Sequence, residues 1–542
     1  MYLHLRIATE LWHRLIVVVA GALAVAWCPG VLVTRDGGAR RAGIAVVWAV
    51  AIAYVALGVA TVVLNDDETY YLAEGWSALR GAPNGDLPMR HMVFWPFLVM
   101  PLSAASTVMA GRVFIAAAGI GCAVIVRRVG GALQCGPAAS ALAGALVLVW
   151  LRGEADWSFL RPEYFATLFL MGGLWFLIAP PSGWARSRST TVAFALFGLM
   201  ALGSHRHVAV APGAVLALLL ETPREERWRA LGAVVCGVAL SLIPTGLYLL
   251  TVGSVSKIVT LHVALATSMK AGMLRPYYVG AVLPLWCVVC GLASVVALWG
   301  RRKTTPGAGA AVVMWVTCLG AALLNPIKLP YALSSFVCVS ALVTAGGMSA
   351  VLQAGEPLGR RVLGGAFTAV LLLTLLHHDR GLVLPPGETT RRVADLRAQL
   401  RLVDWLEETA GGEPVLCVTP YHPLRVPNGW RLHNAHYYCY VSRTMGRELE
   451  PALEETLLSG KPAIIHWDPW PEYSEKGNLL EWAVGRGFVA PARVEELRRV
   501  LREHYRLVRW PEPLPKPFGA GQFLVRRDRP FAGAVEVADG LK

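Results

Sequence analysis

From Leu15 to Leu376 the chain repeats one pattern, an apolar run close to the length of a bilayer-crossing helix followed by a short polar break. A helix of about 20 residues crosses the hydrocarbon of a bilayer and satisfies every backbone N–H and C=O within itself, which leaves a helical bundle as the fold for such a pattern. The runs extend over Leu15–Val33, Gly43–Leu64, Gly111–Val126, Ala138–Leu151, Tyr164–Ile178, Thr191–Gly203, Val208–Leu220, Ala230–Val252, Tyr277–Trp299, Ala310–Leu324, Tyr331–Val351 and Val362–Leu376. Met92 to Met109 carries Pro96 and Pro101 and reads as a short interfacial segment. The expected fold class is therefore mainly α, a multispan transmembrane bundle of about 11–12 spans.

The breaks fall into two kinds. Arg35/Arg40/Arg41, Arg127-Arg128, Arg186/Arg188, Arg224/Arg227/Arg229, Arg301-Arg302-Lys303 and Arg360-Arg361 are short and basic. They alternate with Asn65 to His91, Arg152 to Glu163, His205 to His207, Gly253 to Pro276 and Asn325 to Pro330. Basic connections stay on the cytoplasmic side, which sends the second set outside. The formal net charge of +14 is thus a record of topology and not of nucleic-acid binding, and 55% hydrophobic residues with a mean hydropathy of +0.50 exclude an ordinary soluble protein. The first run lacks a good small-residue cleavage site at Trp27-Cys28-Pro29-Gly30 and is expected to stay in the mature protein. Most of the ten cysteines lie in apolar runs as small hydrophobes. Cys417 and Cys439 lie in polar sequence, and whether they are bonded is left open.

Composition changes beyond His377-His378-Asp379, with Pro385-Pro386-Gly387 as linker. Residues 385–542 alternate helices with short strands and read as an extracytoplasmic α/β domain, against a transmembrane domain over 1–384 whose first outer loop is 65–93. Leu396, Leu400, Val403 and Leu406 give Arg391 to Thr409 an apolar helical face. Strands are expected at Pro414–Val418, Ala463–Trp467 and Gln522–Val525, and helices at Arg447–Leu458, Leu479–Val484 and Arg493–His504. The aromatic and His-rich stretch from Tyr421 to Tyr440, with Trp467, Trp470 and Tyr473, suits loop and core packing better than sugar stacking.

Chemistry concentrates in Asn65-Asp66-Asp67-Glu68-Thr69-Tyr70-Tyr71, at the mouth of a span. The stretch to Gly81 reads as a helix with Asn65 as N-cap, Glu68 at the third position and Gly81 at its end. Acids in a first turn favour the helix dipole by about 0.3–1 kcal/mol, which explains one or two carboxylates better than three beside hydrocarbon. The functional reading is activation of a hydroxyl next to a lipid-borne substrate. His205-Arg206-His207 and His377-His378-Asp379 lack the spacing of a metal site.

Asp67-Glu68 after an early span, Tyr70-Tyr71, Leu79-Arg80-Gly81, Asp86 and the Pro-rich stretch from His91 to Pro101 together resemble the GT-C class of membrane glycosyltransferases, which includes protein O-mannosyltransferases and the aminoarabinose transferase of lipid A. Ile327-Lys328-Leu329-Pro330-Tyr331 resembles the basic entry of a late helix in that class. The resemblance implies transfer of a sugar from a polyprenyl-phosphate donor to an acceptor hydroxyl on a glycan, lipid or protein. Asp67 would be the base, Asp66 its rival, and Glu68 would orient the acceptor, fix the base or help hold a divalent metal at that loop. Donor-phosphate ligands would come from Arg161, His205, Arg206, His207, Lys257, Lys270, Arg275 and Lys328, with Arg206 and Lys328 first. Tyr70, Tyr71, Asp86, His91, Glu163 and Tyr331 would line the acceptor side or support the base. No cofactor is certain, and donor sugar and acceptor stay open. A bacterial cytoplasmic membrane is the expected setting. The competing functions are a multispan lipid or solute carrier, disfavoured because no span contains an Asp or Glu, and a non-catalytic glycolipid binder.

Overall fold

The computed structural model describes residues 37–62, 64, 66–80, 92–155, 157–252, 285–324, 333–353, 386–416, 424–426, 453–468, 478–485, 489–514 and 521–537. The runs Leu15–Val33 and Val362–Leu376 lie outside them. The chain forms two compact units, one of Met1–Thr61, Arg112–Tyr248 and Arg275–Thr389, the other of Val62–Gly111, Leu249–Leu274 and Thr390–Lys542.

The first unit is helical throughout its described residues. Its elements are α1 (Gly37–Thr61), most of α4 (Ala104–Ala132), α5 (Pro137–Ala155), α6 (Pro162–Ile178), α7 (Arg186–Gly203), a 3-10 helix (His205–Val210) running into α8 (Ala211–Glu221), α9 (Arg227–Val252), α10 (Leu285–Gly300), α11 (Ala308–Leu324) and α12 (Ser334–Gln353). Among the described residues, three helices are long and apolar enough to cross a membrane, over Arg41–Thr61, Ala104–Ala132 and Arg224–Leu247, and six more are apolar but shorter. At about 1.5 Å per residue α6 still reaches about 25 Å. The expected span Gly111–Val126 is only the core of α4, which starts seven residues earlier. Its first turn is capped: Ser103 Oγ accepts the N–H of Ser106 at 3.2 Å, and Pro101 lies ahead of the helix.

Among the described residues, several of the basic breaks gather at one end of this unit. The Glu221 carboxylate accepts the N–H groups of Gly307 (3.1 Å) and Ala310 (3.2 Å) at the start of α11, while Arg186 donates to the Glu221 carbonyl at 2.5 Å. A Cβ at Gly307 would meet Ile178 and lie 3.4 Å from Leu133, and Ser349 Oγ donates to the Gln134 carbonyl at 3.3 Å. Six helix ends therefore share one face with Arg186, Arg224, Arg227 and Arg301-Arg302-Lys303. A carboxylate at the N-terminus of α11 is favoured by that helix's dipole.

Close helix contact depends on small residues. A Cβ at Gly237 on α9 would strike the Thr191 carbonyl oxygen and lie 2.9 Å from the Ala195 nitrogen on α7. Backbones this near exclude a side chain. Gly237→Val is expected to force α7 and α9 apart, cost about 1–3 kcal/mol and lower the thermal midpoint of the detergent-solubilised protein, checked by intrinsic fluorescence.

The second unit holds α2 (Asp66–Leu79), the short α3 (Trp95–Leu98), the first turns of α4, and the segment after the bundle. That segment contains α13 (Pro386–Ala410) from Thr390 onward, β1 (Val415–Leu416), α14 (Leu453–Leu458), β2 (Ile464–His466), α15 (Leu479–Gly485), α16 (Val494–His504), β3 (Tyr505–Arg509), β4 (Gln522–Arg526) and β5 (Val535–Glu536). The sheet order is β1-β2-β4-β3-β5, parallel between β1 and β2 and antiparallel elsewhere. Helices pack on it through Leu453, Leu457, Leu480, Leu497 and Leu501 against Ile465, Leu507 and Leu524. On α13 the expected stripe Leu396, Leu400, Val403 and Leu406 is buried.

Tyr505 is buried at the start of β3 and donates to the Pro462 carbonyl at 2.8 Å, and burial pushes its phenol above the ordinary value. The fold thus favours the protonated form: above about pH 10 the unfolded chain loses this proton while the folded chain keeps it, and stability falls as pH rises. Tyr505→Phe is expected to cost about 1 kcal/mol near pH 8 and to flatten the alkaline decline, read from unfolding curves at pH 8 and pH 11.

Candidate active site

In the second unit, α2 begins at Asp66, so Asp66, Asp67 and Glu68 form its first turn as the sequence pattern requires. The side chains of Asp66 and Asp67 lie outside the description; that of Glu68 is fully buried. The helix differs from a half-exposed amphipathic one. Thr69, Tyr70, Tyr71, Leu72, Ala73, Glu74, Ser77 and Ala78 are all buried, and exposure begins only at Trp76, Leu79 and Arg80. Taking carboxylates out of water is costly unless polar groups receive them, so two buried ones on one short helix mark a built polar interior.

Glu74 was not among the sequence candidates. It follows Asp67 by seven residues, two helical turns, and so lies on the same face, a periodicity that would have found it. Aromatic rings fix the helix from one side. Tyr70 and Tyr71 have ring centroids 5.3 Å apart, Tyr71 stacks on Phe94 at 6.3 Å, and Trp95 Nε1 donates to the Gly75 carbonyl at 3.1 Å. The Pro-rich stretch therefore braces the acidic helix.

The first unit supplies buried cations at the end opposite its basic connections. Arg161 is extended ahead of Pro162, which opens α6 at N1, and its guanidinium lies over the Phe159 ring at 5.0 Å. Arg161 is only 5% exposed. Glu163 is buried in the first turn of α6, where the helix dipole favours its charge. Tyr164 stacks on Trp157 at 4.2 Å and donates to the Ala155 carbonyl, while Trp157 Nε1 donates to the Ile115 carbonyl at 2.8 Å. One turn on, Thr167 Oγ1 lies 2.6 Å from Ser334 Oγ and 3.0 Å from Ser335 Oγ, joining α6 to α12 through buried hydroxyls. His207 is buried in the 3-10 helix.

Two further arginines grip the end of α1 that leads into the acidic stretch. Arg112, fully buried inside α4, donates to the Val59 carbonyl at 3.2 Å. Arg152 donates to the Tyr54 carbonyl at 2.7 Å and lies over the Tyr54 ring at 4.4 Å. Gly58, one turn beyond Tyr54, leaves the room, since a Cβ there would fall on the Arg152 guanidinium. Arg112 was missed because its span was read for apolar length, although an Arg within hydrocarbon is itself a functional signal.

Among the sequence-derived residues, Glu68, Tyr70 and Tyr71 come together on α2, and Arg161 with Glu163 at the entry of α6. His205 and Arg206 lie on the 3-10 helix with side chains outside the description, and Lys257, Lys270, Arg275, Lys328, Tyr331, Asp86 and His91 lie outside the described residues. Among the described residues no three His, Cys, Asp or Glu side chains come together to hold a metal ion. Cys417 and Cys439 also lie outside.

No protein-family model matches the sequence, and neither does any curated protein. Solved structures do. The arabinofuranosyltransferase AftD from Mycobacteria superposes with TM-score 0.50 at 16% identity, covering 90% of this chain and 40% of AftD. ArnT from Cupriavidus metallidurans matches at TM-score 0.48 and 13% identity over 80% of this chain and 94% of its own. The oligosaccharyltransferase AglB from Archaeoglobus fulgidus matches at 0.41 and 12% over 93% and 77%. The chain has the GT-C fold. At these identities the likeness is one of fold, and this chain spans less than half the length of AftD. Within the GT-C fold, the acidic helix follows the first described span, and the buried Arg161 lies at the entry of a later helix, α6.

Proposed function

We propose that this chain is an integral-membrane glycosyltransferase that moves a sugar from a polyprenyl-phosphate donor to an acceptor hydroxyl on the extracytoplasmic face. The observation that carries the reading is a buried, aromatic-braced helix opening with Asp66-Asp67-Glu68 immediately after a span, in a chain with the GT-C fold. The gathering of basic breaks at one end of the bundle supports placing that end in the cytoplasm and residues 385–542 outside.

Asp67 takes the acceptor proton as the new C1–O bond forms. An ordinary carboxylate suffices, because the hydroxyl becomes acidic only as its oxygen bonds to the sugar. The bond from C1 to the phosphate oxygen breaks through an oxocarbenium-like transition state, and the lipid phosphate leaves with the electron pair. Arg161, with Arg206 and Lys328, receives the growing negative charge, for which a guanidinium already desolvated and held in place needs little reorganisation. Glu68, Tyr70 and Tyr71 hold the base and the acceptor.

ArnT has been solved with undecaprenyl phosphate and AglB with dolichol-phosphate, and these lipids define the first donors to assay. Mass spectrometry of cell-envelope glycans from cells with and without the chain is expected to show loss of one sugar substituent. Identical glycans, together with no transfer from a panel of polyprenyl-phosphate pentoses and hexoses, would remove the reading.

A further inference from the structure

Within the second compact unit, the chain on either side of the acidic helix is held by residues 299 to 335 positions later. Leu64, just ahead of α2, is fully buried, and its N–H donates to Oε1 of the equally buried Gln399 on α13 at 2.8 Å. Further along α13, Asp404 Oδ1 accepts the N–H of Ala105 at 2.8 Å in the first turn of α4, and Oδ2 accepts from Ser103 Oγ at 3.3 Å. Glu407 then orients Arg425. Its carboxylate accepts the N–H groups of Leu424 and Arg425 at 2.9 and 3.2 Å and pairs with Arg425 Nη1 at 3.1 Å. Arg425 in turn donates to the carbonyls of Leu98 (3.2 Å) and Met100 (3.3 Å) and to Thr107 Oγ1 (2.8 Å).

One helix thus reaches Leu64, two residues ahead of Asp66, and with Arg425 the residues that close the following segment. The contacts are directional, and those to Leu64, Leu98, Met100 and Ala105 fix backbone groups that packing alone would leave free to slide. Asp404 supplies an external carboxylate cap to the Ala105 N–H in the first turn of α4, a placement its dipole favours.

We propose that α13 sets the position of the catalytic turn, with Gln399 as a positioning residue for Asp66-Asp67-Glu68 and Asp404 and Arg425 holding the returning chain. The role of the turn in catalysis rests on the sugar-transfer reading above; the positioning itself does not. Without the Gln399 acceptor, the buried Leu64 N–H must find another partner, and the turn shifts to reach one. A shift of about 1 Å at a reacting group costs about a hundredfold in rate.

The test compares Gln399→Met, which keeps volume and removes the acceptor, with Gln399→Glu, which keeps an acceptor, both in the full chain. Hydrogen exchange followed by mass spectrometry is expected to rise about tenfold over residues 62–79 in Gln399→Met, while residues 494–526 stay at the wild-type rate and Gln399→Glu returns towards it. With a polyprenyl-phosphate sugar, kcat is expected to fall at least tenfold in Gln399→Met with donor KM within about twofold, and to recover in Gln399→Glu. Wild-type exchange over 62–79 in Gln399→Met overturns the proposal, as does faster exchange spread over every peptide without rescue by Gln399→Glu. Local exchange that rises while kcat stays at the wild-type value overturns the catalytic part. If the wild type transfers no sugar, the exchange result still decides the positioning, and the failure belongs to the sugar-transfer reading.

Discussion

Asp67→Asn is expected to lower the turnover of sugar transfer by about a thousandfold, with membrane insertion and thermal stability close to wild type, because a positioned general base contributes about 10²–10⁴ in rate. Asn keeps the size and the hydrogen-bonding reach but takes no proton. Asp66→Asn, one position earlier on the same turn, is expected to cost less than about tenfold and so to separate the two assignments. Donor binding should be little altered in either variant, since the lipid phosphate is held elsewhere. Turnover of the purified protein at saturating donor checks the first two statements, and the donor KM checks the third. An Asp67→Asn enzyme at the wild-type rate would remove Asp67 as the base.

The second large effect is expected at Arg161. Its guanidinium is 5% exposed, rests over Phe159 and opens α6 ahead of a proline that holds the backbone extended. Desolvation makes its charge felt more strongly by a departing phosphate than that of any surface arginine. Arg161→Met is expected to reduce kcat/KM for the lipid donor by about 10²–10³, the scale of losing one fixed donor to a developing charge. Arg161→Lys should recover part of this, having the charge without the two-pronged geometry. Competition with free undecaprenyl phosphate checks the assignment independently, since its inhibition constant should rise in Arg161→Met and move little in Asp67→Asn. Equal inhibition of wild type and Arg161→Met would place the phosphate elsewhere.

Helix-length apolar runs gave the bundle directly, because lipid leaves a backbone no option but to satisfy itself. At one end, the Glu221 cap on α11 and the Ser349 bond to Gln134 bring together connections that the sequence had grouped only by their arginines. The start of α2 at Asp66 was legible from its capping pattern. Other features were not. Strand β3, Tyr-Arg-Leu-Val-Arg, follows α16 without a turn residue, so nothing local separates it from the helix. The burial of α2 on nearly every side depends on residues far along the chain, including the aromatic pair Phe94 and Trp95, and periodicity within fourteen residues does not report it. The link from Gln399 to Leu64 is of the same kind, a glutamine on a helix whose apolar stripe gives no reason to look at it.

Arg112 and Glu74 teach a narrower lesson. Both were passed over because neighbouring residues supplied a sufficient reading, an apolar run in one case and an acid triplet in the other. Each is almost wholly buried, and a charged residue that a fold takes out of water is the first place to look for a further participant. Arg112 reaches the Val59 carbonyl on the same helix end that Arg152 clasps at Tyr54, so two arginines hold the last turns of α1.

The most direct measurement of the central claim is the stoichiometry of the reaction on purified full-length protein in lipid nanodiscs, supplied with a polyprenyl-phosphate sugar and an acceptor. One polyprenyl phosphate released for each sugar found on the acceptor, in the wild type and not in Asp67→Asn, is the expected result. Donor that crosses or binds the membrane protein intact, with no lipid phosphate released, would contradict it.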